Sequence, residues 1–302
     1  MERQFLAASL LFLIALSSCQ SNPAIVNNMD TKCTKSSIDS ECHKNVVISI
    51  EKPPLLIAEN VWEYMIINNN YDHNVTLDKK TLGYINNHLN DVDKFNELLG
   101  KSYYFIYYVI QELEAADLPP ELALIPFVES NYDPFSISPS GAVGLWQFMP
   151  KTGRMFNLEK SWWSEDRHDP YRSTHAAIGY FKYLLERFDD DIYLALAAYN
   201  AGPTYLERQI TKNKRRNLDY DFWSLDLNKQ VTEYIPKYIA IREIVFNSEK
   251  YGVVLPDIPV ESVVKRIEIP GQVEILTLSE YLEIPPELIY KLNAGYTKWA
   301  SA

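Results

Sequence analysis

Basic charge is what this sequence is short of: 29 Lys and Arg stand against 40 Asp and Glu, a formal net charge of −11. Phosphate binding needs a basic surface, so no nucleic-acid partner is expected. A neutral or mixed-charge polymer such as a polysaccharide remains compatible. Metal ligands are scarce too, with three Cys and five His in 302 residues. No His/Cys cluster has ligand spacing, so neither a metal site nor a cofactor is expected. There is no internal repeat, and few alternating strand patterns occur before residue 252. The run "FLAASLLFLIAL" is apolar apart from Ser9 and too short to span a bilayer comfortably. What is present is ordinary for a globular protein: 47% hydrophobic and 23% charged residues, with length for one large domain or two small ones. The 21 Tyr and 6 Trp are mostly filler for core and surface, although some could stack on sugar rings.

The N-terminus reads as an export signal. A weakly charged "MERQ" precedes the apolar run, and "LSSC" follows it. Leu16, two small residues and Cys19 resemble the bacterial lipobox, whose cysteine becomes the lipidated first residue. The bland alternative is a plain secretory signal in which Cys19 is incidental. On the first reading residues 1–18 are a lipoprotein signal peptide, Cys19 is the lipid attachment site, and the membrane is a partner through that anchor. Gln20 after the cysteine favours the outer membrane by resemblance to enterobacterial lipoproteins, with the protein in the periplasm. Residues 19–54 read as a flexible tether. Within it, Cys33 and Cys42 either close a short disulfide loop or remain free thiols.

The rest reads as mainly α. A helical region is expected over 55–114, a catalytic domain over 115–250, and a small C-terminal α/β segment over 258–302. "DPYRSTHAAIGYFKYLLERF" is amphipathic, with Asp169 or Ser173 as its cap and Ala177, Phe181, Leu184, Leu185 and Phe188 as its buried stripe. "DIYLALAAYNAGP" is a nearly all-apolar helix stopped by Gly202-Pro203.

In "ELALIPFVESNYDP" an acid, Glu129, closes an apolar run. A helix from Leu122 to Ser130 would put Glu129 on the face of Leu122, Ile125 and Pro126, with Pro126 bending it. Asn131, Asp133 and Pro134 then end that helix. A carboxyl held against apolar neighbours has its pKa raised, and a carboxylic acid still protonated near neutrality can protonate the leaving oxygen of a glycosidic bond. The plain alternative is a solvated helix-end residue or a partner for Arg. Asp133 reads as a turn residue, and Asp189, Asp190 and Asp191 as a solvated turn.

Three ordered motifs change the balance. Glu129-Ser130 is followed by "SPSGAVGLWQ" from Ser138 to Gln147 and by Phe148-Met149-Pro150. "AYNAG" spans Ala198 to Gly202, and "YIPK" spans Tyr234 to Lys237. Together they resemble the catalytic domain of bacterial lytic transglycosylases, and "LPPELALIPFVES" and "GLWQFMPKTGRMF" are similar to its membrane-bound D type. The resemblance implies a lysozyme-like, goose-type α+β catalytic domain acting on peptidoglycan glycan strands with a single acid/base, Glu129. Ser138, Gln147, Met149, Tyr199, Asn200 and Tyr234 match cleft positions of the family, with Tyr234 holding the acid. Asn200 could equally cap a helix, and Trp146 reads as core. Where many members have Glu-Thr before the motif tyrosine, this chain has Gln230-Val231. D-type relatives often carry C-terminal LysM repeats, of which only the preceding segment is matched. The activity implied is non-hydrolytic cleavage, by a monomer, between N-acetylmuramic acid and N-acetylglucosamine. A goose-type hydrolytic muramidase and an inactive wall-binding lipoprotein are the competing readings.

Overall fold

Among residues 58–69, 77–267, 269 and 271–301, which the computed structural model describes, the chain is mostly α-helical. The expectations for the signal peptide, Cys19, the tether, Cys33 and Cys42 lie outside the described residues. Two local devices start the helices. The first is an Asp or Asn side chain that accepts from the first free backbone N–H groups. Asn60 does so for α1 (Val61–Ile67), Asp78 for α2 (Lys79–Leu89) and Asp91 for α3 (Val92–Gly100). Helix α4 (Ile106–Ala115) follows without a side-chain cap.

The second device is proline in the first turn, where its missing N–H costs nothing. Pro120 opens a 3-10 helix, Pro120–Leu124, and Pro126 sits in the first turn of α5 (Ile125–Ser130). This corrects the single bent helix expected from Leu122 to Ser130. Pro126 cannot donate to the carbonyl of Leu122 and its ring would crowd that oxygen, so the chain winds tightly before it and restarts after. Pro150 then opens α6 (Pro150–Met155). Asp169 and Pro170 together open α7 (Pro170–Arg187), with Asp169 Oδ1 accepting from Tyr171 and Arg172 N–H, so Asp169 rather than Ser173 is the cap.

Asp191 caps α8 (Ile192–Ala201), which Gly202 ends at φ 86°, a conformation that suits glycine. The cap and stop of α8 also settle Asn200: it lies inside the helix and does not cap it. Helices α9 (Pro203–Lys214), α10 (Lys229–Phe246) and α11 (Ser248–Tyr251) complete this part. The C-terminal piece holds α12 (Ile275–Leu282) and α13 (Pro286–Leu292). Its expected alternating stretch forms no strand among the described residues. Pairing of β type there is limited to isolated bridges, as at Glu274 with Ala300 and, in the catalytic region, Ile137 with Val143 and Val143 with Phe148.

Helix α8 is the centre of the core. Leu194 to Ala198 are buried, and the helix packs on α7, α9 and α10. Each large aliphatic side chain so buried contributes about 1.5–3 kcal/mol. Ala177, Phe181 and Leu184 of α7, and Phe188 just past its end, are buried as expected, with Leu185 only partly covered. Helix α10 lies against α2, α5, α8 and the 3-10 helix, which brings residues 120–130 and 230–246 together.

Candidate active site

Glu129 projects from the last turn of α5. The chain turns sharply after it, because Asn131 and Tyr132 both adopt left-handed backbone, at φ 54° and 59°. Such a conformation is unfavourable for tyrosine and is held by burial of its ring and by Tyr132 Oη donating to Ala123 O at 2.8 Å. Ser130 Oγ donates to Leu145 O at 2.8 Å, tying the acid's helix to the loop Ser138–Gln147. Gly144 in that loop has φ 82°, and a Cβ there would stand 1.9 Å from Arg167 O, so no other residue fits. From below, Arg167 Nη1 donates to Gly141 O and Phe148 O at 3.1 and 3.0 Å, while Glu165 Oε1 receives its Nε–H at 2.8 Å.

Glu129, Ser138, Gln147, Met149, Tyr199 and Asn200 line one cleft of about 270 Å³, together with Ser140, Ala142, Phe148, Thr152, Tyr180 and Gln230. Tyr234 reaches it from α10, its Oη donating to Glu129 Oε1 at 2.6 Å. The seven residues expected in the cleft are thus brought together. Trp146 is fully buried, its indole N–H donating to Thr174 Oγ1, which is the core role expected of it. Asp133 is exposed and accepts from Phe135 N–H in a turn, and Asp191 caps α8. Glu129 is therefore the one carboxylate among the described residues lining the cleft.

The cleft's electrostatics follow from its walls. Burial among apolar groups pushes the Glu129 carboxyl up from 4.5 to about 7, against the opposing pull of the Tyr234 hydrogen bond. One side of the half-buried residue stays open to the cleft, so a proton can pass to a ligand. Burial also raises the Tyr199 and Tyr234 hydroxyls well above the usual phenol range, with the Glu129 charge adding to it, so both remain donors. Tyr199 Oη donates to Trp146 O at 2.7 Å, and its ring stacks on Phe181 at 4.7 Å. Its hydroxyl proton is therefore committed to the scaffold.

Gln147 and Asn200 present different groups to the cleft. Gln147 Nε2 donates to Gly144 O at 2.9 Å and Ser136 O at 3.3 Å, so its amide hydrogens hold the loop. Asn200 Oδ1 is buried with no protein donor, which leaves an acceptor for a ligand N–H or O–H. Ser138 Oγ accepts from Ala142 N–H at 2.9 Å and pairs with Ser140 Oγ. Gln230, the position that departs from the family pattern, lines the cleft, and the Tyr234–Glu129 bond forms without the usual Glu-Thr pair. Thr152 and Tyr180 carry no motif signal, since their spacing is that of any helix face.

Comparison with known proteins matches residues 108–222 to the family described as Transglycosylase SLT domain. Membrane-bound lytic murein transglycosylase D of Escherichia coli (strain K12) is 35% identical over 191 residues, 63% of this chain and 42% of that protein. Membrane-bound lytic murein transglycosylase F of Alcanivorax borkumensis is 34% identical over 108 residues, 34% of this chain and 22% of its own length. The chain thus spans less than half the length of these relatives. Among solved structures, the 70 kDa soluble lytic transglycosylase of Escherichia coli aligns with 47% of this chain and 24% of its own, at 24% identity and a TM-score of 0.38.

Proposed function

We propose, with residues 108–222 forming a Transglycosylase SLT domain, that the protein is a lytic transglycosylase of peptidoglycan. It cleaves the β-1,4 bond from N-acetylmuramic acid to N-acetylglucosamine and leaves a 1,6-anhydro end. The observation that carries this reading is a single cleft carboxyl, Glu129, still protonated close to neutrality and faced by no second cleft acid among the described residues. Hydrolytic glycosidases ordinarily use two carboxyl groups, one of them to activate water or to attack the sugar.

The steps follow from that acid. Glu129 gives its proton to the glycosidic oxygen as the bond to the muramyl anomeric carbon breaks. Glu129, now a carboxylate, takes the proton of the muramyl 6-hydroxyl. The freed oxygen closes on the anomeric carbon, and Glu129 ends protonated as it began. The nucleophile belongs to the reacting ring, so proximity replaces a second catalytic group. Tyr234 keeps the carboxyl aimed. The free Asn200 Oδ1 suits the N–H of an acetamido group, and Gln147, Ser138 and Met149 form the loop side of the binding groove.

The same proposal extends to location and layout. Export by residues 1–18, acylation at Cys19, a tether over 19–54 and a catalytic domain over 115–250 would set a monomer on the periplasmic glycan, anchored to the outer membrane. The apolar run of residues 5–16 followed by Cys19 supports this. Radiolabelled palmitate incorporated by the parent and lost in Cys19→Ala tests the anchor.

Digestion of purified sacculi tests the activity. Released muropeptides one water lighter than reducing-end products support the lyase. Reducing ends would favour the goose-type hydrolase. Release no greater than that of Glu129→Gln would favour a wall-binding lipoprotein.

A further inference from the structure

Eight positions before Glu129, a second carboxylate is fully buried outside the cleft. Glu121 lies in the first turn of the 3-10 helix. Its Oε1 accepts from Tyr238 Oη at 3.0 Å, and its Oε2 accepts from Arg242 Nε at 2.6 Å and Asn69 Nδ2 at 2.8 Å. Tyr238 and Arg242 stand one and two turns beyond Tyr234 on α10, so one stripe of that helix carries three donors. The stripe meets Glu129 through Tyr234 and Glu121 through Tyr238 and Arg242.

A buried ion pair adds little stability beyond an apolar pair of similar volume, and its best-attested use is to fix register. The other buried side chains of α10, which include Val231, Pro236, Ala240 and Ile241, are all apolar and supply no directional contact. A slip of one residue would carry the Tyr234 hydroxyl about 1.5 Å along the axis and about 100° around it, off Glu129. We propose that Glu121, Tyr238 and Arg242 are positioning residues that set the register of α10 and so hold the Tyr234 hydroxyl on Glu129. This deepens the proposed function and rests on Glu129 being the acid.

Titratable neighbours surround both carboxylates. Tyr234 of α10 and Tyr199 of α8 face Glu129, while Tyr238, Arg242 and Tyr193 surround Glu121. Burial works against the Arg242 charge, and Glu121, aided by Tyr238 and Tyr193, more than restores it. The two clusters are linked through α10, which also sets Tyr238 close enough to Tyr234 to add to the rise of its hydroxyl.

The test follows the Glu129 side-chain carbon by NMR during a pH titration of the full chain, with Glu129→Gln assigning the signal. Losing the Tyr234 bond removes a donor that favours the carboxylate, so the midpoint moves up in Tyr234→Phe. Tyr238→Phe is expected to move it up as well, and to lower kcat on sacculi about 3–10-fold with KM little changed, the worth of one modest hydrogen bond. The double variant is expected to match Tyr234→Phe alone, since both act through one contact. An unmoved midpoint in Tyr238→Phe, or a further rise in the double variant, would overturn the proposal. Should Tyr238→Phe fail to fold, Arg242→Lys keeps the charge, loses the guanidinium geometry and carries the same comparison. Product chemistry is judged separately: reducing ends from the parent would sink the lyase reading and leave the titration result standing.

Discussion

Glu121 and Glu129 leave the same stretch of chain, and each accepts a hydrogen bond from a tyrosine of α10, at 3.0 and 2.6 Å. Glu121 also has Arg242 at 2.6 Å and is closed off from solvent. Glu129 has no cation bonded to it among the described residues and opens on the cleft. The guanidinium gives the buried Glu121 a counter-charge at contact distance; with no such partner among the described residues, desolvation leaves Glu129 holding its proton to about pH 7. On the proposed reading one carboxylate is a fixture and the other a proton donor, and the cation on α10 beside Glu121 is what separates their surroundings.

The largest way to break the contrast is Glu129→Gln, which keeps the shape and removes the transferable proton. Activity on sacculi should fall by about 10²–10⁴-fold with circular dichroism unchanged. Arg242→Met acts on the other glutamate, leaving Glu121 buried without its counter-charge. Urea unfolding should show a loss of about 3–5 kcal/mol, partly recovered in Glu121→Gln/Arg242→Met.

Stability against pH sharpens the comparison further. The folded pKa of Glu129 lies above its unfolded value, so between pH 4.5 and about 7 the folded state binds the extra proton. Stability therefore falls as pH rises through that window. Glu129→Gln escapes the penalty: unfolding at pH 8 should find it about 3 kcal/mol more stable than the parent, and near pH 4 no such gain. Tyr234→Phe comes next, with kcat down about 3–10-fold and the basic limb of the pH–rate profile moved to higher pH. Ser130→Ala, which frees Leu145 O, is the smallest, about 1 kcal/mol by thermal melting.

The Glu129 half of this comparison is legible in the sequence, because an acid ending an apolar run and three spaced motifs are local patterns. Asp169 and Gly202 are legible for the same reason, since caps and stops depend on neighbours in the chain. Glu121 is not. After Pro120 it has the look of any acid in a helix's first turn, and the partners that define it are Arg242 and Tyr238, more than a hundred residues on. Pro126 marks the break between Leu124 and Ile125 without locating it, because proline reads equally as a bend within a helix or as a new start. Arg167 pairs locally with Glu165, but its place under the cleft loop comes from Gly141 O and Phe148 O, which are distant in the chain.

Glu129 is proposed to work without a water nucleophile, and digestion of sacculi in oxygen-18 water tests that most directly. Mass spectrometry of the new muramyl ends should find 1,6-anhydro sugars with no heavy oxygen. Reducing muramyl ends that carry the label at the anomeric carbon would contradict it.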